Sequence, residues 1–115
     1  MESDRELLEL AAKAAGIDVL HIAADGQLLI DYHGVGTRVW NPLIRDDDAL
    51  RLAVKLYLSI QFGYCVEDSP VVSVYEQGSI VPRVQIGMAP DFLAATRRAI
   101  VRAAAAIAKG SDHAY

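Results

Sequence analysis

The stretch DVLHIAADGQLLIDY, residues 18–32, decides the fold, because two short segments rich in branched apolar residues flank Ala24-Asp25-Gly26. An Asp-Gly step accepts the positive φ of a tight turn, so Asp18 to Ala23 and Gln27 to Tyr32 read as a β-hairpin. Before it, Ser3-Asp4-Arg5-Glu6 reads as a capping box, in which Ser3 accepts from the Glu6 N–H and Glu6 reaches back. Leu7, Leu8, Leu10, Ala11, Ala14 and Ala15 then share one side of a helical wheel, and Gly16 supplies the left-handed stop.

After the hairpin, His33 to Leu43 holds two glycines, the lone Trp40 and an Asn41-Pro42 turn signal. It reads as irregular, with room for a short strand at Thr37 to Trp40. Asp46-Asp47-Asp48 precedes a second helix, Ala49 to Leu56, and places acidic groups at its positive end. Only Asp48, Arg51 and Lys55 share a polar side there, so this helix is expected to be covered on more than one flank. Ser59 to Val66, Val71 to Gln77 and Ile80 to Gly87 are three further strand candidates, separated by turn residues. Pro90-Asp91 opens a last helix, Phe92 to Lys109, with Pro in its first turn. The order is α-β-β-α-β-β-β-α: an α+β fold in which one antiparallel sheet of about five strands packs with three helices. Residues 1–110 form one domain and residues 111–115 a flexible tail.

The chain has 115 residues, 53% hydrophobic and 23% charged, which fits one compact domain. A formal charge of -4 leaves no global positive field for nucleic acid or an anionic membrane, so direct nucleic-acid binding is not expected. It favours basic targets instead. The single cysteine, Cys65, excludes an internal disulfide and a CxxC metal framework, and suits a reducing compartment. Apolar stretches fall short of the roughly 20 residues that span a bilayer, and the first nine residues are acidic, so neither export signal nor anchor is expected.

Arg97, Arg98 and Arg102 are candidate contacts, since arginine forks grip phosphate and acidic groups. At 100° per residue, Phe92, Leu93, Thr96, Ile100, Ala103 and Ile107 make the buried arc, with Arg98 and Arg102 opposite and Arg97 beside it. The competing reading is a solvated face. The three consecutive aspartates point in different directions, which favours dipole compensation over a metal site, and Asp47 stands four residues before Arg51 in a favourable ion-pair order. Strand alternation places His21, Asp31, His33, Ser73, Tyr75, Arg83 and Gln85 on the sheet face opposite Leu20, Ile22, Leu28, Ile30, Val72, Val74, Val84 and Ile86. That polar face is the preferred ligand surface, and the competing reading is a plain solvent-exposed sheet face, which has the same pattern.

Asp31 with His33 could transfer a proton, but no nucleophile or oxyanion motif accompanies them. His33-Gly34-Val35-Gly36 lacks the third glycine of a dinucleotide loop, and no GxxxxGK[ST], GxSxG or HExxH occurs. No cofactor and no metal are expected. Cys65 reads as a small structural residue in a strand. Trp40 reads as a core anchor for the second helix, or as an aromatic that stacks on a partner.

The blocks Glu6 to Gly16, Trp40-Asn41-Pro42-Leu43, Asp47 to Leu56 and Ala95 to Ala104 together resemble a family of small accessory proteins of tailed phages and prophages of Pseudomonas, Burkholderia and related bacteria. Where such proteins usually show a Gly near the acid run, this chain has Asp46-Asp47-Asp48. The resemblance implies a phage gene product in the host bacterial cytoplasm that works by binding a host protein, such as a component of a defence system. A second implied reading is a sponge for a nucleotide or cyclic nucleotide. A third class, from the residues alone, is a small hydrolase or transferase using Asp31 and His33. Across these readings the candidate contacts are His33, Trp40, Tyr75, Arg83, Arg97, Arg98 and Arg102, with a homodimer as one assembly.

Overall fold

The computed structural model describes residues 3–31, 34, 36–65 and 68–110. Among them are three helices and six strands: α1 (Asp4–Ala15), β1 (Val19–Ile22), β2 (Leu28–Asp31), β3 (Thr37–Trp40), α2 (Asp46–Lys55), β4 (Ser59–Tyr64), β5 (Pro70–Tyr75), β6 (Val84–Gly87) and α3 (Phe92–Gly110). The fold is α+β. The single sheet expected from sequence is instead two three-stranded antiparallel sheets, ordered β1-β2-β3 and β4-β5-β6. The strand at Thr37–Trp40 completes the first sheet, and α2 separates the two sheets along the chain. The expected tail, 111–115, lies outside the described residues.

Local chemistry sets the element boundaries. Ser3 Oγ accepts from the Glu6 N–H at 3.2 Å and faces the Glu6 carboxylate, which starts α1. Gly16 ends it at φ 70°, while the N–H groups of Gly16 and Ile17 donate to the carbonyls of Lys13 and Ala12. This is a Schellman closure. The β1-β2 turn places Gly26 at φ 86°, and Asp25 Oδ1 accepts from the Gln27 N–H at 3.1 Å. Asp91 Oδ1 accepts from the Ala94 N–H at 3.0 Å, so Asp91 caps α3 and Pro90 stands ahead of the cap rather than in the first turn.

Helix α3 is the wall shared by two cores. Ile100, Val101, Ala104 and Ala105 join Leu7, Leu8, Ala11, Leu28, Trp40, Leu52 and their neighbours in the larger cluster. Ala99 and Ala103, one turn apart, turn toward Val72 and Val74 of the second sheet and Met88 just past β6. Alanines at these positions let α1 and the second sheet approach the helix backbone closely. Phe92 and Leu93, expected on the buried arc, are exposed because the first turn of α3 precedes both clusters.

Register corrects the expected polar face. The pairing slips between Val19↔Ile30 and His21↔Leu29, so a bulge at Leu20 leaves that side chain exposed and gives Val19 its inward place. His21 and Asp31 belong to the first sheet, whereas Ser73, Tyr75 and Gln85 belong to the second. They do not share one face. Arg83 lies ahead of β6; its guanidinium pairs with Glu76 at 2.5 Å and packs against the end of α3 at Gly110. Cys65 is exposed and just past β4, not inside a strand.

Candidate functional site

A cavity of about 370 Å³ opens between the end of α1, the first sheet and α2. Gly16 stops α1 there, so that Ile17 and Asp18 turn into β1 along one wall. Ile30, Asp31, Arg38 and Trp40 come from β2 and β3. Asp48, Arg51, Leu52 and Lys55 recur at helical spacing and present one face of α2 to the same space. Buried Trp40, Leu52, Ile30 and Asp48 form the floor, and Asp18, Asp31, Arg51 and Lys55 are exposed at the rim.

Asp48 anchors this arrangement. Its side chain is 0% exposed; one carboxylate oxygen accepts from Arg38 Nη2, and the other accepts from the Asn41 N–H at 3.0 Å. A carboxylate out of water is tolerable only when its charge is countered and its oxygens are hydrogen-bonded, and here each oxygen accepts one bond while Arg38 and, at 3.7 Å, Arg45 Nε counter the charge. The acid run is thereby met by three cations: Asp46 takes Arg97 Nη1 at 2.7 Å, Asp47 takes Arg45 Nη2 at 3.1 Å, and Asp48 takes Arg38, with Arg45 Nε also 3.7 Å from its other oxygen. The expected Asp47 pairing with Arg51 does not form; Arg45, two residues earlier, holds Asp47 through both Nε and Nη2. The hydrogen bond from Arg45 is the main reason that the Asp47 carboxyl sits below its ordinary range, and the same bond raises Arg45. With Asp48 turned inward, α2 exposes Leu50 and Val54 instead, so it is not covered on both flanks.

The four rim charges are different. Among the described residues, Arg51, Lys55, Asp18 and Asp31 make no ion pair with one another or with any other side chain.

A second concavity, about 290 Å³, lies along β4 and is lined by Phe62, Gly63, Tyr64, Pro70, Met88 and Phe92. Phe62 is 60% exposed and Tyr64 75%. Both alternate with Ile60 on the side that faces α3, opposite Val72 and Pro70 in register. In the second sheet β4 pairs only with β5, which makes it an edge strand. Its sequence, SIQFGY, carries neither a charge nor a proline, the usual guards of such an edge.

Residues chosen from sequence lie in varied surroundings. His33 lies outside the described residues. Trp40 is buried in the larger core and floors the first cavity. Tyr75 is half-buried on the outer face of β5, beyond the Gln85 to Ser73 hydrogen bond of 2.9 Å. Arg97, with 17% of its side chain exposed, donates to the Leu43 carbonyl at 2.8 Å and to Asp46. Arg98 pairs with Asp4 of α1 at 3.2 Å. Arg102 is exposed. Sequence reasoning missed Arg38, Arg51, Lys55 and the β4 aromatics. The alternation of Ile60, Phe62 and Tyr64 was the available signal for the last group.

Among the described residues no cluster of His, Cys, Asp and Glu has the makings of a metal site, and no helix is long and apolar enough to cross a membrane. No family model matches the chain, and no curated protein or solved structure matches it.

Proposed function

We propose that this chain is a non-catalytic binding protein that docks its β4 edge onto another protein. The observation that carries this reading is the unguarded edge strand with Phe62, Tyr64 and Phe92 around one apolar cleft. Exposed aromatics beside free backbone donors and acceptors suit an extended segment, which adds as a strand while its side chains enter the cleft. The resemblance to phage accessory proteins supplies the setting: the host bacterial cytoplasm, with a defence component as the protein that is blocked. Arg97 and Arg98 are committed to interhelical pairs, so gripping a nucleotide phosphate with them would first break those pairs.

Phe62→Ser with Tyr64→Ser tests the reading. Both residues are exposed, so melting should stay within about one or two degrees of wild type, while capture of the wild-type partner from host lysate should be lost. A partner retained equally by the double variant would move the docking surface elsewhere. A wild-type solution mass of twice the monomer, reverting to monomer in the variant, would make the partner a second copy.

A further inference from the structure

We propose that the cavity between α2 and the first sheet binds a small zwitterion with an apolar body, of the chemistry of a short apolar peptide. This site is separate from the β4 edge and does not depend on that reading.

Charge accounting points to this ligand. Six ionic side chains line the cavity, and Arg38 and Asp48 neutralise each other. What remains is unbalanced by wall. Arg51 and Lys55 stand four residues apart on α2, where like charges repel. Asp18 and Asp31 come from the opposite elements, and the register that pairs Val19 with Ile30 brings Asp18 level with Asp31 at the end of the hairpin. Like charges opposite each other on paired strands also repel. Neither pair has a counter-ion among the described residues.

A ligand with one carboxylate and one ammonium, held apart, relieves both repulsions together. A plain anion would relieve one and face the other. Between the charged walls lie Ile17, Ile30, Trp40 and Leu52, which call for an apolar body. The volume, about 370 Å³, falls at the small end of ligand pockets, which limits the occupant to a few residues. Asp48 acts as a positioning residue here, because it fixes the Arg38 guanidinium on the floor and leaves the exposed cations of α2 to the ligand.

Trp40 is the only tryptophan in the chain and lines the cavity, so its emission is a direct reporter. The probes are the dipeptide Leu-Leu, its N-acetyl form without the ammonium, its amide without the carboxylate, and adenosine monophosphate. Leu-Leu should change Trp40 emission saturably, and each blocked form should bind about tenfold or more weakly, as the loss of one charged contact implies. Arg51→Ala with Lys55→Ala should bring Leu-Leu down to the affinity of its amide and leave the amide unchanged. Asp18→Asn with Asp31→Asn should do the same relative to the N-acetyl form. All four residues are exposed, and melting of both variants should match wild type to within about two degrees. No saturable change with Leu-Leu, tighter binding of the monophosphate, or equal affinity for all three peptides would overturn the proposal.

Discussion

The two sheets are built alike, three short antiparallel strands each, yet they close against the helices by different physics. The inner face of the first sheet carries Arg38 between apolar neighbours, and that arginine reaches across to Asp48 of α2. The inner face of the second is Ile60, Val72, Val74, Val84 and Ile86 against alanines of α3, with no charge among them. A polar pin is directional, so it fixes how α2 sits on the first sheet and leaves a cavity beside the pin. An apolar contact is not directional, and it leaves β4 with surplus aromatic surface at its edge. Under the two readings proposed above, the cavity beside the first sheet would take a small zwitterion with an apolar body and the β4 edge of the second would take an extended protein segment.

The largest effect belongs to the helix that both sheets share. Ile100→Asp places a charge with no partner in the core, a cost of several kcal/mol against a total stability of about 5–15 kcal/mol. Loss of the helical circular dichroism signal at 25 °C is expected. A folded variant with a normal melting curve would break the assignment of α3 as a common wall. The next effect separates the sheets. Asp48→Ala takes away the carboxylate that accepts from Arg38 and from the Asn41 N–H, and costs about 3 kcal/mol, the low end for a broken buried pair because Arg38 stays 23% exposed. Arg38→Met with Asp48→Leu should recover most of that loss in denaturant titrations. Val74→Ala in the second sheet should cost about 2 kcal/mol, as apolar deletion alone dictates.

The stop at Gly16, the cap at Ser3 and the hairpin at Asp25-Gly26 were legible because they depend on residues within one turn. Division into two sheets was not, since period-two alternation says which face a side chain takes but not which strand lies beside it. Leu20 shows the limit: alternation turned it inward, and a one-residue bulge turned it out. Asp48 shows another. In a run of three aspartates every carboxylate looks solvated, and it takes Arg38, ten residues away on another element, together with the Asn41 N–H, to make burial of one of them affordable. The β4 edge was missed for a related reason, because being an edge is a property of the sheet's order and not of SIQFGY.

Two arginines one residue apart on α3 sharpen the contrast further. Arg97 ties α3 to the start of α2 through a carbonyl and a carboxylate and keeps little exposure, so Arg97→Ala should cost about 1–2 kcal/mol. Arg98 meets Asp4 at an exposed surface, and Arg98→Ala should cost about 0.5 kcal/mol or less. Equal losses in urea midpoints would mean that the α2-α3 contact contributes no more than a surface pair. Arg98→Ala with Arg102→Ala should also leave protein capture unchanged if the β4 edge is the docking surface.

The smallest effect is the pH dependence of the exposed pin at Asp47. Its folded carboxyl lies below the ordinary value of 3.8, first because Arg45 donates to it. The unfolded chain therefore takes up its proton at a higher pH than the folded one. Stability from this group is complete above about pH 5 and is lost as the pH falls through the folded value. Asp47→Asn removes the dependence. The gap in urea midpoint between wild type and this variant should be small at pH 7, shrink between about pH 5 and 3, and shrink also in 1 M salt, because the pair is exposed and screened. A gap that stayed constant with pH and salt would mean that the Asn change acts through the backbone, where Asp47 Oδ1 accepts from the Asp48 N–H at 2.9 Å, and not through Arg45.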